Sequence, residues 1–272
     1  MLRTWLTVLA VLAGIGFAFA ADSGTRLFSD SQWDEARKDL AQGRAAEAKA
    51  AFEELLRRYP GEPDLHLFRG MSLLRLRDPQ GAILEARKAI ELNPRHVDAR
   101  TFLAWIELEI RGDTTAAISE YRKIIEMHPE LPVAYSNLAV AQKRKGELDQ
   151  AIASLNRALE LKPDLAGALT TRGGIFAEQN RWAEARRDFE EALKLDPRDD
   201  GALYGLSQAM RETRDYAAAQ RALGELISRS PNFVYWLEWG RVGLIRYWWV
   251  LLSVALALSL KGRFRKPRTA NG

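Results

Sequence analysis

Across residues 29–231, apolar side chains recur at spacings of three and four, with polar and charged positions between them. That period places one buried stripe along a helix. The stripe is interrupted at regular intervals. Pro60, Pro94, Pro129, Pro163, Pro197 and Pro231 lie 34, 35, 34, 34 and 34 residues apart. Proline has no N–H to donate and its ring clashes with the preceding turn, so each marks the end of a helix. Twelve residues before each proline stands an alanine: Ala48, Ala82, Ala117, Ala151, Ala185 and Ala219. Eight before stand Phe52, Ala86, Tyr121, Leu155, Phe189 and Leu223, and five before stand Leu55, Ala89, Ile124, Ala158, Ala192 and Leu226.

Each period has room for a second helix upstream, joined by a short turn such as Arg111-Gly112-Asp113 or Lys145-Gly146-Glu147. Glycine suits the end of the first helix because it accepts a positive φ. The recurring alanine lets the paired helices approach to the low end of the usual ~8–10 Å separation. The pattern therefore predicts an all-α chain of helical hairpins over residues 29–231.

The pattern changes at both ends. Arg3 precedes an apolar run that closes on Ala18-Phe19-Ala20, the make-up of a secretory signal peptide over residues 1–20. Residues 21–28 then read as a linker. After Pro231, residues 232–241 read as a capping or juxtamembrane segment and residues 242–260 as a single transmembrane helix; the other reading is an interfacial or buried helix that caps the fold, with Trp236 and Trp239 on its apolar face. Its uncharged core from Tyr247 to Leu260 spans roughly 21 Å of helix, against a bilayer core of about 30 Å. Extending back to Val242 includes Arg246, which can snorkel to the headgroups. Tyr247, Trp248 and Trp249 suit the interfacial aromatic belt, and Lys261 and Arg263 open a basic tail over residues 261–272 that suits a cytoplasmic C-terminus. The expected address is a bacterial inner membrane, with the repeats periplasmic.

Composition narrows the chemistry. With 47% apolar and 28% charged residues, the chain can bury a core and is not of the disordered class. Forty basic against 36 acidic residues give a net charge of +4, with no basic stripe of the kind that marks a nucleic-acid binder. There is no cysteine, so disulfides and thiol chemistry are excluded. His66, His96 and His128 lie near loops with no sequence pattern joining them, and no phosphate-binding glycine loop, metal-ligand spacing or nucleophile motif is found. The expectation is no enzyme activity, no cofactor, no metal and no small-molecule substrate.

The repeat resembles the tetratricopeptide repeat. The match is strongest in the unit from Pro132 to Pro163, with Tyr135, Leu138-Ala139, Gly146, Ala151, Leu155, Ala158 and Pro163, and nearly as strong at Gly173, Trp182, Ala185, Phe189 and Ala192. Some units depart. The unit from Val97 to Pro129 carries an extra residue and should bulge at its helix junction. Trp33 sits one place late in the first unit. The last unit has Arg214 where glycine is usual and Gly224 inside its second helix.

The resemblance implies a right-handed α-solenoid of about six helix-turn-helix repeats. It also implies a concave groove, lined by first helices, that binds peptide or helical segments of partner proteins. Carried onto this chain, the groove positions are Trp33, Met71, Arg75, Trp105, Lys143, Arg144, Tyr204, Gln208 and Arg211. Trp33 and Trp105 have a second reading as core residues, and Lys143 and Arg144 as solvated charges. The Lys–Asn–Arg clamp for acidic C-terminal tails is absent, since Asn137 stands alone. The expected function is a membrane-tethered scaffold that recruits partners in an envelope complex. The alternative is an accessory protein of polysaccharide export or cell-wall assembly, contacting glycan through Trp105 or Tyr204.

Overall fold

The computed structural model describes residues 31–263, and within them lie thirteen helices and no strand. The expected signal peptide, linker and most of the basic tail lie outside the described residues. The chain divides into two compact units, residues 1–161 and residues 162–272.

The described part of the first unit holds α1 (Ser31–Ala41), α2 (Ala45–Arg58), α3 (Pro63–Arg75), α4 (Pro79–Leu92), α5 (Val97–Glu109), α6 (Thr114–Met127), α7 (Pro132–Lys145) and α8 (Leu148–Leu161). Each helix packs on the next, and α3 also touches α5. The second unit holds α9 (Ala166–Glu178), α10 (Trp182–Leu195), α11 (Asp200–Glu212), α12 (Tyr216–Arg229) and α13 (Phe233–Arg263). Here too each helix packs on its successor, and α9 touches α11. Contacts between first helices of adjacent hairpins are what stacking of helix-turn-helix repeats requires.

Local chemistry sets the helix ends. The even-numbered helices from α2 to α12 all stop two residues before a repeat proline. The residue before a proline is driven out of the right-handed helical region. Accordingly Asn93 (φ −135, ψ 96) and Asp196 (φ −130, ψ 92) are extended, and Ser230 (φ −140, ψ 83) also lies outside the helical region. Proline also opens α3, α4 and α7, where a missing N–H costs nothing. The side chains of Asp78, Asp113, Asp199 and Asp215 cap α4, α6, α11 and α12 by accepting from the N–H groups of Gly81, Ala116, Ala202 and Ala218.

Each hairpin turn passes through one left-handed residue. Gly43, Gly112 and Gly146 fill this role in three turns, but Arg77 (φ 65), Asn180 (φ 59) and Arg214 (φ 65) fill it in the others. In five turns the N–H just after the left-handed residue reaches back five residues, as from Glu147 to the Gln142 carbonyl and from Asp215 to the Met210 carbonyl. The α5–α6 junction differs. Ile110 prolongs the right-handed backbone, and the Asp113 N–H reaches the Glu107 carbonyl at 2.7 Å, six residues back. This is where the extra residue of that unit is absorbed.

The recurring alanines and the apolar positions eight and five before each proline are all buried. Burying a Phe or Leu side chain contributes about 1.5–3 kcal/mol. The late Trp33 still reaches the core: its ring meets Phe68 edge-on at 5.0 Å and Phe52 at 5.8 Å.

α13 corrects the expected boundary of the membrane segment. Val242, expected as its first residue, is 1% exposed and packs on Ala219, Leu223 and Leu226. Arg246, expected at the lipid headgroups, donates to Gln220 of α12 at 3.2 Å and lies 4.9 Å from the Tyr247 ring. The first turns of the expected span are thus docked on the last hairpin. Among the described residues no single helix is long and apolar enough to cross a membrane. α13 bends by 43° into arms Phe233–Val250 and Leu252–Leu258, which together meet that length and composition.

Candidate protein-binding surface

In the first unit, α1, α3 and α5 border a cleft of about 390 Å³. Its floor is apolar: Leu40, Phe68, Met71, Leu74 and Phe102. Arg37, Lys38 and Arg75 stand at its rim beside a single carboxylate, Asp34. The Arg37 guanidinium lies 5.4 Å from the Phe68 ring centre, so the aromatic face holds the cation over the floor. Lys38 and Arg75 are exposed, and neither has an ion-pair partner among the described residues. An apolar floor with a cationic rim fits a partner segment that offers a bulky apolar side chain next to carboxylates.

The sequence-predicted groove residues fall into three groups. Met71 and Arg75 meet in this cleft, with Trp33 half-buried behind it against Phe68. Tyr204 and Gln208 border a second cleft of about 380 Å³ between α9, α10 and α11, with Thr170, Glu178 and Trp182. The Tyr204 ring also lies 5.4 Å from Tyr235 of α13.

The remaining four lie outside these clefts, and for Trp105 burial corrects the groove expectation. Trp105 is 2% exposed. α5 is buried at every position from Phe102 to Leu108, because α3, α4 and α6 enclose it. The Trp105 ring therefore has no open face for a protein or a glycan. Arg144 donates to the Leu108 carbonyl at 2.9 Å and to Glu109 at 3.0 Å. A helix C-terminus leaves carbonyls without intrahelical donors, and Arg144 satisfies one for α5. Arg211 pairs with Glu238 of α13 and Glu212. Lys143 is half-buried on the last turn of α7.

Other charges are used inside the packing. Glu107, 3% exposed, accepts two hydrogen bonds from Arg111 at 2.9 and 3.1 Å. Arg172 and Asp188 form a two-pronged pair with both contacts at 2.8 Å. His66 bonds Glu85 at 2.8 Å, and His96 bonds Asp64 of the preceding hairpin at 3.0 Å. Burial pushes the Asp98 carboxyl above its ordinary range; nearby His96 opposes this and Asp64 adds to it.

Arg37, Lys38, Phe68, Leu74 and Phe102 belong to the cleft but were not among the groove residues read from the sequence. The spacing Phe68, Met71, Leu74, Arg75 on one face of α3 carries the signal for Phe68 and Leu74. Phe102 joins only through the stacking of α5 on α3.

The sequence matches the tetratricopeptide repeat family over residues 33–95, 71–132, 132–165 and 176–237. No curated protein matches it. Among solved structures it is similar to PilW, described as a widely conserved type IV pilus biogenesis factor. That match has 16% identity and a TM-score of 0.68, covering 78% of this chain and 97% of that one. It is also similar to a chain of the APC/C hetero-tetramer Cut9–Hcn1, at 19% identity and a TM-score of 0.65, over 80% of this chain but 43% of that one. MamA from Desulfovibrio magneticus matches at 21% identity and a TM-score of 0.54, over 62% and 95% of the two chains. At these identities the likeness carries the fold alone.

Proposed function

Since the chain belongs to the tetratricopeptide repeat family, we propose that it is a non-catalytic scaffold held at a bacterial inner membrane, recruiting partner proteins of an envelope complex. The observation that carries the binding reading is the α1–α3–α5 cleft, whose apolar floor suits an acidic, amphipathic segment together with Lys38 and Arg75, which have no ion-pair partner among the described residues. The membrane reading rests on the signal-like first 20 residues and on the uncharged run of α13 followed by a basic tail. On this reading a signal peptide exports the repeats to the periplasmic side.

Selection from a displayed peptide library against the full chain in detergent tests the binding reading. Recovered peptides should combine a bulky apolar residue with Asp or Glu. Lys38→Glu with Arg75→Glu should remove that acidic preference while leaving the helical content unchanged. Recovery of the same peptides by both proteins would place the site elsewhere.

A further inference from the structure

The first arm of α13 has two unlike faces. Tyr235, Glu238, Val242 and Arg246 follow one another at helical spacing and engage Tyr204, Arg211, the α12 core and Gln220. The opposite face carries Phe233, Trp236, Leu237, Leu244 and Trp248, all more than half exposed. A helix that caps a repeat stack normally turns a polar face outward. This one turns its apolar face outward. Of the 21 exposed large apolar side chains among the described residues, 14 are on α13, and the other seven are scattered over the repeats. Such a contiguous patch marks a contact surface rather than ordinary surface variation.

We propose that this outer face rests in the headgroup boundary of the bilayer, so that the last hairpin lies against the lipid instead of standing off on a stalk. The inference rests on the membrane attachment proposed above and changes its form: with the first arm in the interface, the uncharged stretch that follows, Leu251 to Leu260, reaches about 15 Å of helix against a bilayer core of about 30 Å, so α13 anchors the chain without crossing. Three observations favour lipid over a second copy of the chain. After Glu238 the sequence has seven basic residues (Arg241, Arg246, Lys261, Arg263, Arg265, Lys266 and Arg268) and no acidic one, which attracts anionic lipid and repels a like surface. Beyond the bend the apolar character continues in Leu252–Leu258, where every position is exposed. The 43° bend separates a one-sided arm from an all-round apolar arm. A helix apolar on one face suits the interface, at a depth of about 5–10 Å, whereas one apolar all round suits the hydrocarbon. Glu238, the last carboxylate, is held away from that face by Arg211 and lies 3.5 Å from Arg241.

The absence of native cysteine makes site-directed spin labelling clean. Leu237→Cys, Leu244→Cys and Leu256→Cys are labelled singly in the full chain and reconstituted in phosphatidylcholine–phosphatidylglycerol vesicles. Accessibility to oxygen and to a water-soluble nickel chelate is then compared. All three labels should collide more with oxygen than with nickel, with Leu256 the deepest. Aqueous labels at 237 and 244 with a lipid-exposed label at 256 would overturn this inference but leave the tether standing. Aqueous behaviour at all three would overturn both. Dipolar broadening at 237 and 244 would overturn it in favour of a second copy.

Discussion

The Phe189 ring of α10 lies directly against the backbone of Gly205 on α11, so that a methyl group added at Gly205 would overlap the ring. The close contact joins one hairpin to the next, and it makes a helical glycine a packing residue. Gly205→Ala is therefore expected to destabilise by about 1–3 kcal/mol through overpacking. Gly167→Ala, on an exposed face with nothing within 4 Å, is expected to stabilise by up to ~1 kcal/mol through helix propensity. Denaturant melts of the two variants should shift in opposite directions, and shifts of the same sign would refute the packing role.

Arg214 holds a left-handed backbone at φ 65 where the equivalent turn before α8 uses Gly146 at φ 86. The left-handed conformation costs a residue with a Cβ roughly 1–2 kcal/mol, and glycine's greater freedom in the unfolded chain offsets part of the gain. Arg214→Gly should raise the unfolding midpoint by an amount equivalent to about 0.5–1 kcal/mol. Calorimetry showing a lower midpoint would contradict the reading of the turn.

Arg144 supplies a donor to the Leu108 carbonyl near the end of α5. Arg144→Ala should cost about 1 kcal/mol, because the Leu108 carbonyl loses its donor while the partly exposed pair with Glu109 adds little. Its effect on peptide binding should follow the loss of stability, in contrast to Arg75→Glu. Binding loss with an unchanged melt would return Arg144 to the interface.

Asp98 gives a pH signature. Its folded pKa is raised above the ordinary 3.8 by burial, so the folded state holds the proton more tightly than the unfolded chain. The associated stability is fully present below the unfolded value and is lost as pH rises through the raised folded one. His96, Asp64 and Glu62 are the neighbouring titratable groups. The melting temperature of Asp98→Asn relative to the natural protein should therefore increase between about pH 3.5 and about pH 7, the range that brackets an ordinary carboxyl. A pH-independent difference would exclude the shift.

The periodic features were legible because they are local. A proline forces the residue before it out of the helix, and an alanine at a fixed offset admits a neighbouring helix, so helix ends and core positions follow from spacing. Trp105, Arg144 and Val242 were not legible for the opposite reason. Whether an aromatic lines a groove depends on how many helices enclose it, and α5 is enclosed on nearly every side. Whether an arginine is free depends on a carbonyl 36 residues away. Val242 reads as the first apolar residue of a membrane segment, since sequence does not distinguish an apolar neighbour in protein from one in lipid. Only the position of α12 assigns it.

Site-specific photocrosslinking in intact cells asks whether the α1–α3–α5 cleft holds a partner. Benzoylphenylalanine replaces Met71 on the cleft floor or Leu84 on the exposed side of α4, 65% exposed. The binding account predicts a discrete adduct from Met71 that is lost with Lys38→Glu and Arg75→Glu, and none from Leu84. Equal adducts from both positions, or an adduct from Met71 that survives the charge reversal, would contradict it.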